Sequence, residues 1–411
     1  MLKVKPPSGK KIFTEVYLSG SKSLSNRLLM IRAISGLPIH YKNLSDSDDT
    51  ITLAKELGAI EGKDHATIDV GHAGTDMRFL TAYLSCKKGD WVLTGSDRMK
   101  KRPIGELVNA LRKLGAEISY VNEEGYPPLK IKGKKLNGGE LDIDGGISSQ
   151  FITALLLIAP LFDSGLKINL KNEVVSKPYI KMTIDVMRHF DIKVSYENQT
   201  INILPSTYKK DGIDYHVESD WSSASYWYAV AALAKEADIK LFHFNKPSLQ
   251  SDSVIADIFL KLGVVTEWSA TGIRLTKSNS EAKEFEYNCI DCPDIAQTIA
   301  AVCTVKGIKV KLTGLQTLKL KETDRIEAMK NELQKFGAKI EITANSIEIF
   351  PPEIVIKPLE PIQTYHDHRM AMSIVPLSLI SGELTVIDPD VVNKSYAAFW
   401  DDLQEAGFEI E

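Results

Sequence analysis

The stretch "LRKLGAEISY", Leu111–Tyr120, changes period at its glycine. Before Gly115 the apolar residues fall at helical spacing; after it they alternate, as in a strand with one buried face. Glycine accepts the left-handed backbone of a helix C-terminus, so the helix stops there and the chain turns into the strand. The pattern recurs as "AKELGAI" (Ala54–Ile60), "FLKLGVVTEW" (Phe259–Trp268) and "LQKFGAKIEI" (Leu333–Ile342). Looser copies are "MRHFDIKVSY" (Met187–Tyr196) and "LQEAGFEIE" (Leu403–Glu411), the first with Asp191 where glycine would stand. Helices are therefore predicted to stop at Gly58, Gly115, Gly263, Gly337 and Gly407, and at Asp191, a short polar residue that tolerates the same conformation.

A second, more apolar helix accompanies each copy. The six are "SNRLLMIRAI", "DMRFLTAYLS", "SSQFITALLLIAPL", "SASYWYAVAAL", "IAQTIAAVCTV" and "HRMAMSIVPLSLI". Helices apolar nearly all round belong inside a domain. Strand-like runs follow them, such as "WVLTG", "GLKINL", "IKVKLTG" and "ELTVIDP". Helices and strands thus alternate about six times, with a period longer than common solenoid repeats. A chain of 411 residues suits two domains, and six units divide naturally as three and three. No Gly/Ser linker separates them. Turn-rich segments near Gly20 and at "YHVESDW", Tyr215–Trp221, are the expected crossings. They define a discontinuous domain of residues 1–20 plus 218–411 and an inserted domain of residues 21–217.

Composition narrows the function class. Hydrophobic residues make up 44% and charged residues 25%, as in ordinary globular enzymes. A net charge of -4 attracts no nucleic acid globally, so any anion site must come from local clustering. The N-terminus "MLKVKPPSGKKIF" lacks the apolar core of a secretory signal. "FITALLLIAPLF" falls short of the about 18 apolar residues a membrane span needs. These features, with few cysteines, predict a cytoplasmic protein. Cys289 and Cys292 form a lone C-x-x-C: a redox pair, half a metal site, or, with no second pair to complete four ligands, two unrelated thiols.

The starts of the apolar helices carry the chemistry. They read "SGSKSLSNR", "GHAGTDMR", "DGGISSQ", "ESDWSSAS", "DCPD" and "YHDHRM". Helix N-termini expose unpaired N–H groups and partial positive charge, which suits phosphate or carboxylate. Ser, Thr and Asp there also serve simply as caps. Capping does not require the cations Lys22, Arg27, Arg78 and Arg369 beside them. Further cations lie in loops: "SDRMKKRPIGELV" holds Arg102, with Pro103 predicted in a first helical turn. "LKLKETDRIEAM" holds Lys321 and Arg325, predicted as i,i+4 neighbours on one helix face. Lys394 precedes the last helix. Asp294 and Glu322 are carboxylates that could move protons among these cations. The pattern points to proton transfer on a small, highly anionic substrate. No Walker loop, GxGxxG or H-x-x-x-H spacing is present, so no cofactor and no metal is expected.

The motifs "SGSKSLSNR", "AGTDMRFL", "RPIGELV", "SSQFITALL", "VSKPYI", "KETDR" and "DHRMAM" occur in an order that resembles the 5-enolpyruvylshikimate-3-phosphate synthase (3-phosphoshikimate 1-carboxyvinyltransferase) family over almost the whole chain. The resemblance implies an α/β fold: a two-domain inverse α/β barrel of six βαβαββ-type repeats, three per domain, with the active site in the interdomain cleft. It implies transfer of the enolpyruvyl group of phosphoenolpyruvate to the 5-hydroxyl of shikimate 3-phosphate, with phosphate released through a tetrahedral intermediate. A cytoplasmic monomer without cofactor, metal, membrane or nucleic-acid partner is the corresponding expectation. Matched motif by motif, Ser148, Ser149 and Ser176 would hold the shikimate phosphate. Lys22, Ser23, Arg27, Gln150 and Tyr179 would line the shikimate site, with Lys321 and Asp294 at its hydroxyls. Lys22, Gly74, Arg102 and Gln150 would surround the phosphate of phosphoenolpyruvate; Arg325, Arg369 and Lys394 would clamp its carboxylate. Asp294 matches the acceptor of the 5-hydroxyl proton and Glu322 the group that protonates the methylene carbon, with Lys22 sharing in proton transfer.

Three departures stand out. His72 and Thr317 occupy positions where the family commonly has Asn, and the segment between Gly58 and Gly71 is short, so the first repeat is expected to lack a strand pair. The sister family acting on a UDP-amino sugar carries a reactive cysteine in the loop before the arginine of "RP"; here "GSDRMKKRPIG" has none. A non-catalytic phosphometabolite-binding protein would have no need of both Asp294 and Glu322.

Overall fold

The turn after five of the six amphipathic helices has the expected backbone. In the computed structural model, which describes residues 1–146, 148–209 and 214–411, φ is +98° at Gly115, +89° at Gly263, +95° at Gly337 and +97° at Gly407. Asp191 adopts the same left-handed region, at +62°. Gly58 does not. It lies inside the helix Asp48–Ala59, and the left-handed residue comes later, at Gly62. The reason is local: no strand follows this helix until His65–Asp69, so nothing requires a sharp reversal at Gly58.

Clustering of the chain gives two units, Met1–Ser19 with Glu218–Glu411, and Gly20–Val217, each with its own hydrophobic core. In the Gly20–Val217 unit the helices Lys22–Ser35, Gly74–Cys86 and Ser149–Ile158 form the centre. Nearly every residue of Ser149–Ile158 after its first turn is buried. Two four-stranded sheets lie against these helices. One has the order His65–Asp69, Gly89–Thr94, Leu129–Gly133, Glu117–Tyr120. Its first pair is parallel, with Ile68 opposite Leu93, and the other two pairs are antiparallel. Parallel neighbours need a crossover, which the helix Gly74–Cys86 supplies, and the last two strands close as a hairpin. The sequence of elements is therefore βαβαββ. Strand Leu129–Gly133 alternates buried and exposed residues, so one face meets the helices and the other meets solvent. The second sheet, Val194–Glu197, Thr200–Ile203, Leu166–Lys171, Gly139–Asp144, repeats the scheme. The first repeat is reduced: among the described residues its sheet is only His40–Lys42 paired parallel with Asp214–His216.

The other unit follows the same plan. Helix Trp221–Leu233 is buried almost throughout, as is Ala296–Lys306. Strand Lys11–Val16 runs parallel to Glu236–Phe242, with Ile12 opposite Ala237, so this repeat begins before residue 20 and resumes after residue 217. A further four-stranded sheet contains Glu284–Asn288, Lys309–Thr313, Ile347–Phe350 and Lys339–Ile342. A smaller one joins Leu384–Val386, Leu2–Lys5 and Glu409–Ile410. Helices inside and sheets outside make each unit an inverse α/β barrel. The sixth apolar helix, His368–Ile374, is short because Pro376 lies in the following 3-10 turn and lacks the N–H a continuing helix would need. Among the described residues no helix is long and apolar enough to cross a membrane. Cys289, Cys292 and Cys303 are buried as free thiols.

Candidate active site

The helix starts differ in how they are capped. Ser148, Asp220 and Asp367 each accept a backbone N–H with the side chain, so at these three positions capping is part of the explanation. Ser21 and Ala73, before Lys22–Ser35 and Gly74–Cys86, make no side-chain cap. The cap side chains therefore do not satisfy the N–H groups of those two first turns, and Lys22 and Arg102 lie beside them.

In the Gly20–Val217 unit two groups of predicted residues assemble. In the first, the guanidinium of Arg102 lies against Gly74, and a Cβ added to Gly74 would fall 2.6 Å from Arg102 Nη1. Gln150 Nε2 donates to Thr75 Oγ1 at 3.2 Å, which brings the start of the Ser149–Ile158 helix to the same corner. Arg78 supports it from behind, donating to the Gly74 and Pro103 carbonyls. Pro103 itself precedes the helix, which begins at Gly105 after Ile104, so it fixes the loop rather than the first turn. His72 is exposed and faces Ser96 Oγ at 3.0 Å.

In the second group Arg27 is buried and joins three helices. Its Nε donates to Thr183 Oγ1 at 2.8 Å, Nη1 to the Ser23 carbonyl, and Nη2 to Thr153 Oγ1 and the Tyr179 carbonyl. Burial lowers its pKa to about 10, so it remains a cation at neutral pH. Lys22 pairs with the buried Asp49 at 3.3 Å, a partner that sequence reading missed although "SDSDDT" offered acidic residues at a helix start. Ser176 is buried with φ of +53°, a strained conformation for serine that turns the chain into the helix Lys177–His189. Tyr179 follows one turn later, its N–H bonded to the Ser176 carbonyl. Ser149 opens its helix directly after the cap Ser148.

The Met1–Ser19/Glu218–Glu411 unit gathers the remaining residues around one guanidinium. Arg325 is 2% exposed and meets three carboxylates: Asp367 through Nε at 2.7 Å, Asp294 through Nη1 at 3.1 Å, and Glu322 through Nη2 at 2.8 Å. Arg369 Nη2 lies 3.0 Å from the second oxygen of Asp294, and Lys394 Nζ lies 3.3 Å from the second oxygen of Glu322. Lys321 feels Asp294, Arg325, Glu322 and Arg369; burial is the largest influence and lowers its pKa, while Asp294 and Glu322 oppose that. Lys321 and Arg325 do not share a helix face. Asp324 accepts from the Ile326 and Glu327 N–H groups, which starts the helix at Arg325 and leaves Lys321 in extended backbone before it. The Thr317 hydroxyl has no hydrogen-bond partner among the described residues.

Residues 7–403 match the EPSP synthase (3-phosphoshikimate 1-carboxyvinyltransferase) family. The chain belongs to that family. A 3-phosphoshikimate 1-carboxyvinyltransferase of Bacteroides fragilis is 45% identical over 403 residues, 98% of this chain and 97% of the relative. One from Aliivibrio fischeri is 38% identical, covering 96% of this chain and 97% of the relative. The solved EPSP synthase of Acinetobacter baumannii shares the fold, with a TM-score of 0.81 at 23% identity over 100% of this chain and 99% of that one. As an EPSP synthase family member the chain is an enzyme and a transferase, in a family that binds shikimate 3-phosphate and phosphoenolpyruvate.

Proposed function

We propose that these three groups serve one reaction, with anion binding in all of them and proton transfer chiefly in the Arg325 cluster. Family membership gives the reaction: the enolpyruvyl group of phosphoenolpyruvate passes to the 5-hydroxyl of shikimate 3-phosphate and phosphate is released, a step of the shikimate pathway toward chorismate and the aromatic amino acids. The hydroxyl oxygen adds to C2 of phosphoenolpyruvate while C3 gains a proton. The resulting tetrahedral intermediate then loses a proton from its C3 methyl group as the C2–O bond to phosphate breaks.

In this reading Ser148, Ser149 and Ser176 bind the shikimate phosphate, and Lys22, Ser23, Arg27, Gln150 and Tyr179 line the ring. Lys22, Gly74, Arg102 and Gln150 receive the phosphate of phosphoenolpyruvate, and Arg325, Arg369 and Lys394 its carboxylate. Asp294, with Lys321, takes the 5-hydroxyl, and Asp294 accepts its proton. Glu322 gives a proton to C3 and takes it back; Lys22 stabilises the leaving phosphate and shares its proton. Two polyanions repel in water, and preorganised cations offset that repulsion and fix the reacting atoms together.

One observation supports the division of labour most directly. Asp294 and Glu322 are held on different nitrogens of Arg325, each with a further cation on its other oxygen. Two carboxylates kept apart in this way can act on two different atoms of one substrate pair. The test is phosphate release on mixing shikimate 3-phosphate with phosphoenolpyruvate. Release that requires both substrates, and that falls sharply in Asp294→Asn and Glu322→Gln, is expected. Binding of both substrates without release would leave a binding protein instead. We further propose a cytoplasmic monomer; a sedimentation-equilibrium mass of twice the 45.6 kDa chain would overturn the second part.

A further inference from the structure

Asp252 lies in the 3-10 turn Ser251–Val254 and is 4% exposed. Its neighbours among the acidic residues have full structural employment. Glu218 accepts bonds from the Trp221 indole, the Asn245 N–H, Ser248 and Gln250. Asp220 caps the helix Trp221–Leu233. Asp252 has a single hydrogen bond: Ser222 Oγ donates to its Oδ2 at 2.5 Å, and its buried Oδ1 has no partner among the described residues. A buried carboxylate so poorly satisfied destabilises the fold, so packing alone does not account for it.

The hydrogen bonds beyond Ser222 lead into the candidate site. Ser222 Oγ accepts from Arg369 Nη2 at 3.3 Å, and the same nitrogen lies 3.0 Å from Asp294 Oδ2. Arg369 Nη1 also reaches the Asp294 carbonyl and the Tyr226 hydroxyl. A serine hydroxyl has one proton. While that proton points at Asp252, the lone pairs of Ser222 are aimed at Arg369, and the guanidinium plane is fixed.

We propose that Asp252 is a positioning residue for the enolpyruvyl transfer, acting through Ser222 to orient Arg369 and, with it, the carboxylate of Asp294. The inference rests on the reading of Asp294 as the base. The charged and titratable groups facing Asp252 are Asp294, Arg369 and Asp220, together with the Cys292 thiol. Burial, then Asp294, push the Asp252 pKa up to about 7 against the pull of Arg369. Its two forms therefore exchange near neutrality. Once Asp252 is protonated, its own proton competes for Ser222, and the alignment of Arg369 is lost.

The experiment compares Asp252→Asn, Ser222→Ala, Ser222→Thr and the Asp252→Asn/Ser222→Ala double variant with the parent enzyme. Steady-state kinetics are followed across neutral pH. Asp252→Asn and Ser222→Ala should each lower kcat about tenfold or more, with little change in KM for shikimate 3-phosphate. Ser222→Thr, which keeps the hydroxyl, should retain most activity. The double variant should be no worse than the poorer single one, because both break the same link. The rise of kcat/KM through neutral pH should weaken in Asp252→Asn; substrate ionisation is common to both enzymes and cancels in that comparison. A parental kcat and pH profile in Asp252→Asn, or effects that multiply fully in the double variant, would overturn the inference. Asp294→Asn is run alongside. Full activity in that variant would reject Asp294 as the base, a different failure from an indifferent Asp252→Asn beside an inactive Asp294→Asn. If Asp252→Asn does not fold, Ser222→Ala and Ser222→Thr decide alone: equal kinetics in the two would overturn the link.

Discussion

At Gly74 a single missing atom decides what Arg102 can do. A Cβ would lie 2.6 to 2.9 Å from the three terminal atoms of the guanidinium, closer than such contacts occur. Gly74→Ala must therefore push Arg102 away, and a flexible side chain can yield without unfolding the protein. The expected result is a loss of about tenfold in kcat/KM for phosphoenolpyruvate, which corresponds to about 1.4 kcal/mol. Affinity for shikimate 3-phosphate should be nearly unchanged, because Ser148, Ser149 and Ser176 do not touch this contact. Steady-state kinetics with each substrate varied in turn will check it; an equal loss for both substrates would mean that the whole corner had shifted. Asp252 gives a residue-scale expectation for stability. Its folded pKa is raised from 3.8 to about 7, so between those values the folded state holds a proton that the unfolded chain has released. Its contribution to stability therefore falls as pH rises through that window, and the full penalty is present above it. Urea unfolding of Asp252→Asn should show a gain over the parent that is absent near pH 4 and largest above neutrality. A gain of constant size would assign the effect to packing instead of charge.

Elements were the most legible scale. Five of the six helix stops were written as Gly115, Asp191, Gly263, Gly337 and Gly407, because a left-handed residue is needed wherever a helix reverses into a paired strand. Gly58 looked the same in sequence and lies within a helix, since among the described residues the first repeat has no strand pair after it to demand the reversal. Lys321 and Arg325 were misread for a related reason. Four-residue spacing signals a shared helix face only when both residues are helical, and the cap Asp324 sets the start between them. Asp191 offers the test at this scale. It is exposed, with φ of +62°, a conformation that glycine takes without steric cost. Asp191→Gly should raise stability by about 1 kcal/mol, less whatever entropy glycine adds to the unfolded chain. A higher urea midpoint at unchanged slope is the expected signature. A lower midpoint would mean that the aspartate side chain makes a compensating interaction that outweighs its backbone strain.

For the whole molecule, the residues matched to substrate are spread over more than 370 positions of sequence, from Lys22 to Lys394. Residue type and motif order made them legible as a set; which of them touch was not. Arg27 is drawn into bonds with three helices, and Arg325 into three carboxylates, because buried charges must be satisfied locally wherever the fold puts them. Asp49 and Ser222 lie at polar helix starts, in "SDSDDT" and "ESDWSSAS", but residue type there does not distinguish a cap from a partner, and Asp252 lies in a turn with no motif; only tertiary packing brings them to Lys22 and Arg369. The proposed contacts to shikimate 3-phosphate are concentrated in Gly20–Val217, at the first turns of Lys22–Ser35, Ser149–Ile158 and Lys177–His189. A ligand that binds only the folded state suppresses local opening by an amount that grows with the logarithm of its concentration over Kd, about 2.7 kcal/mol at one hundred times its Kd. Shikimate 3-phosphate alone should therefore slow amide exchange most at those three helix starts. The outer strands Val194–Glu197 and Lys339–Ile342, which carry none of the proposed contacts, should exchange as before. Exchange followed by mass spectrometry, with and without the ligand, reads both. Protection at the outer strands without protection at the three helix starts would remove the serines and Arg27 from the substrate site and leave the proposed assignment without its phosphate anchor.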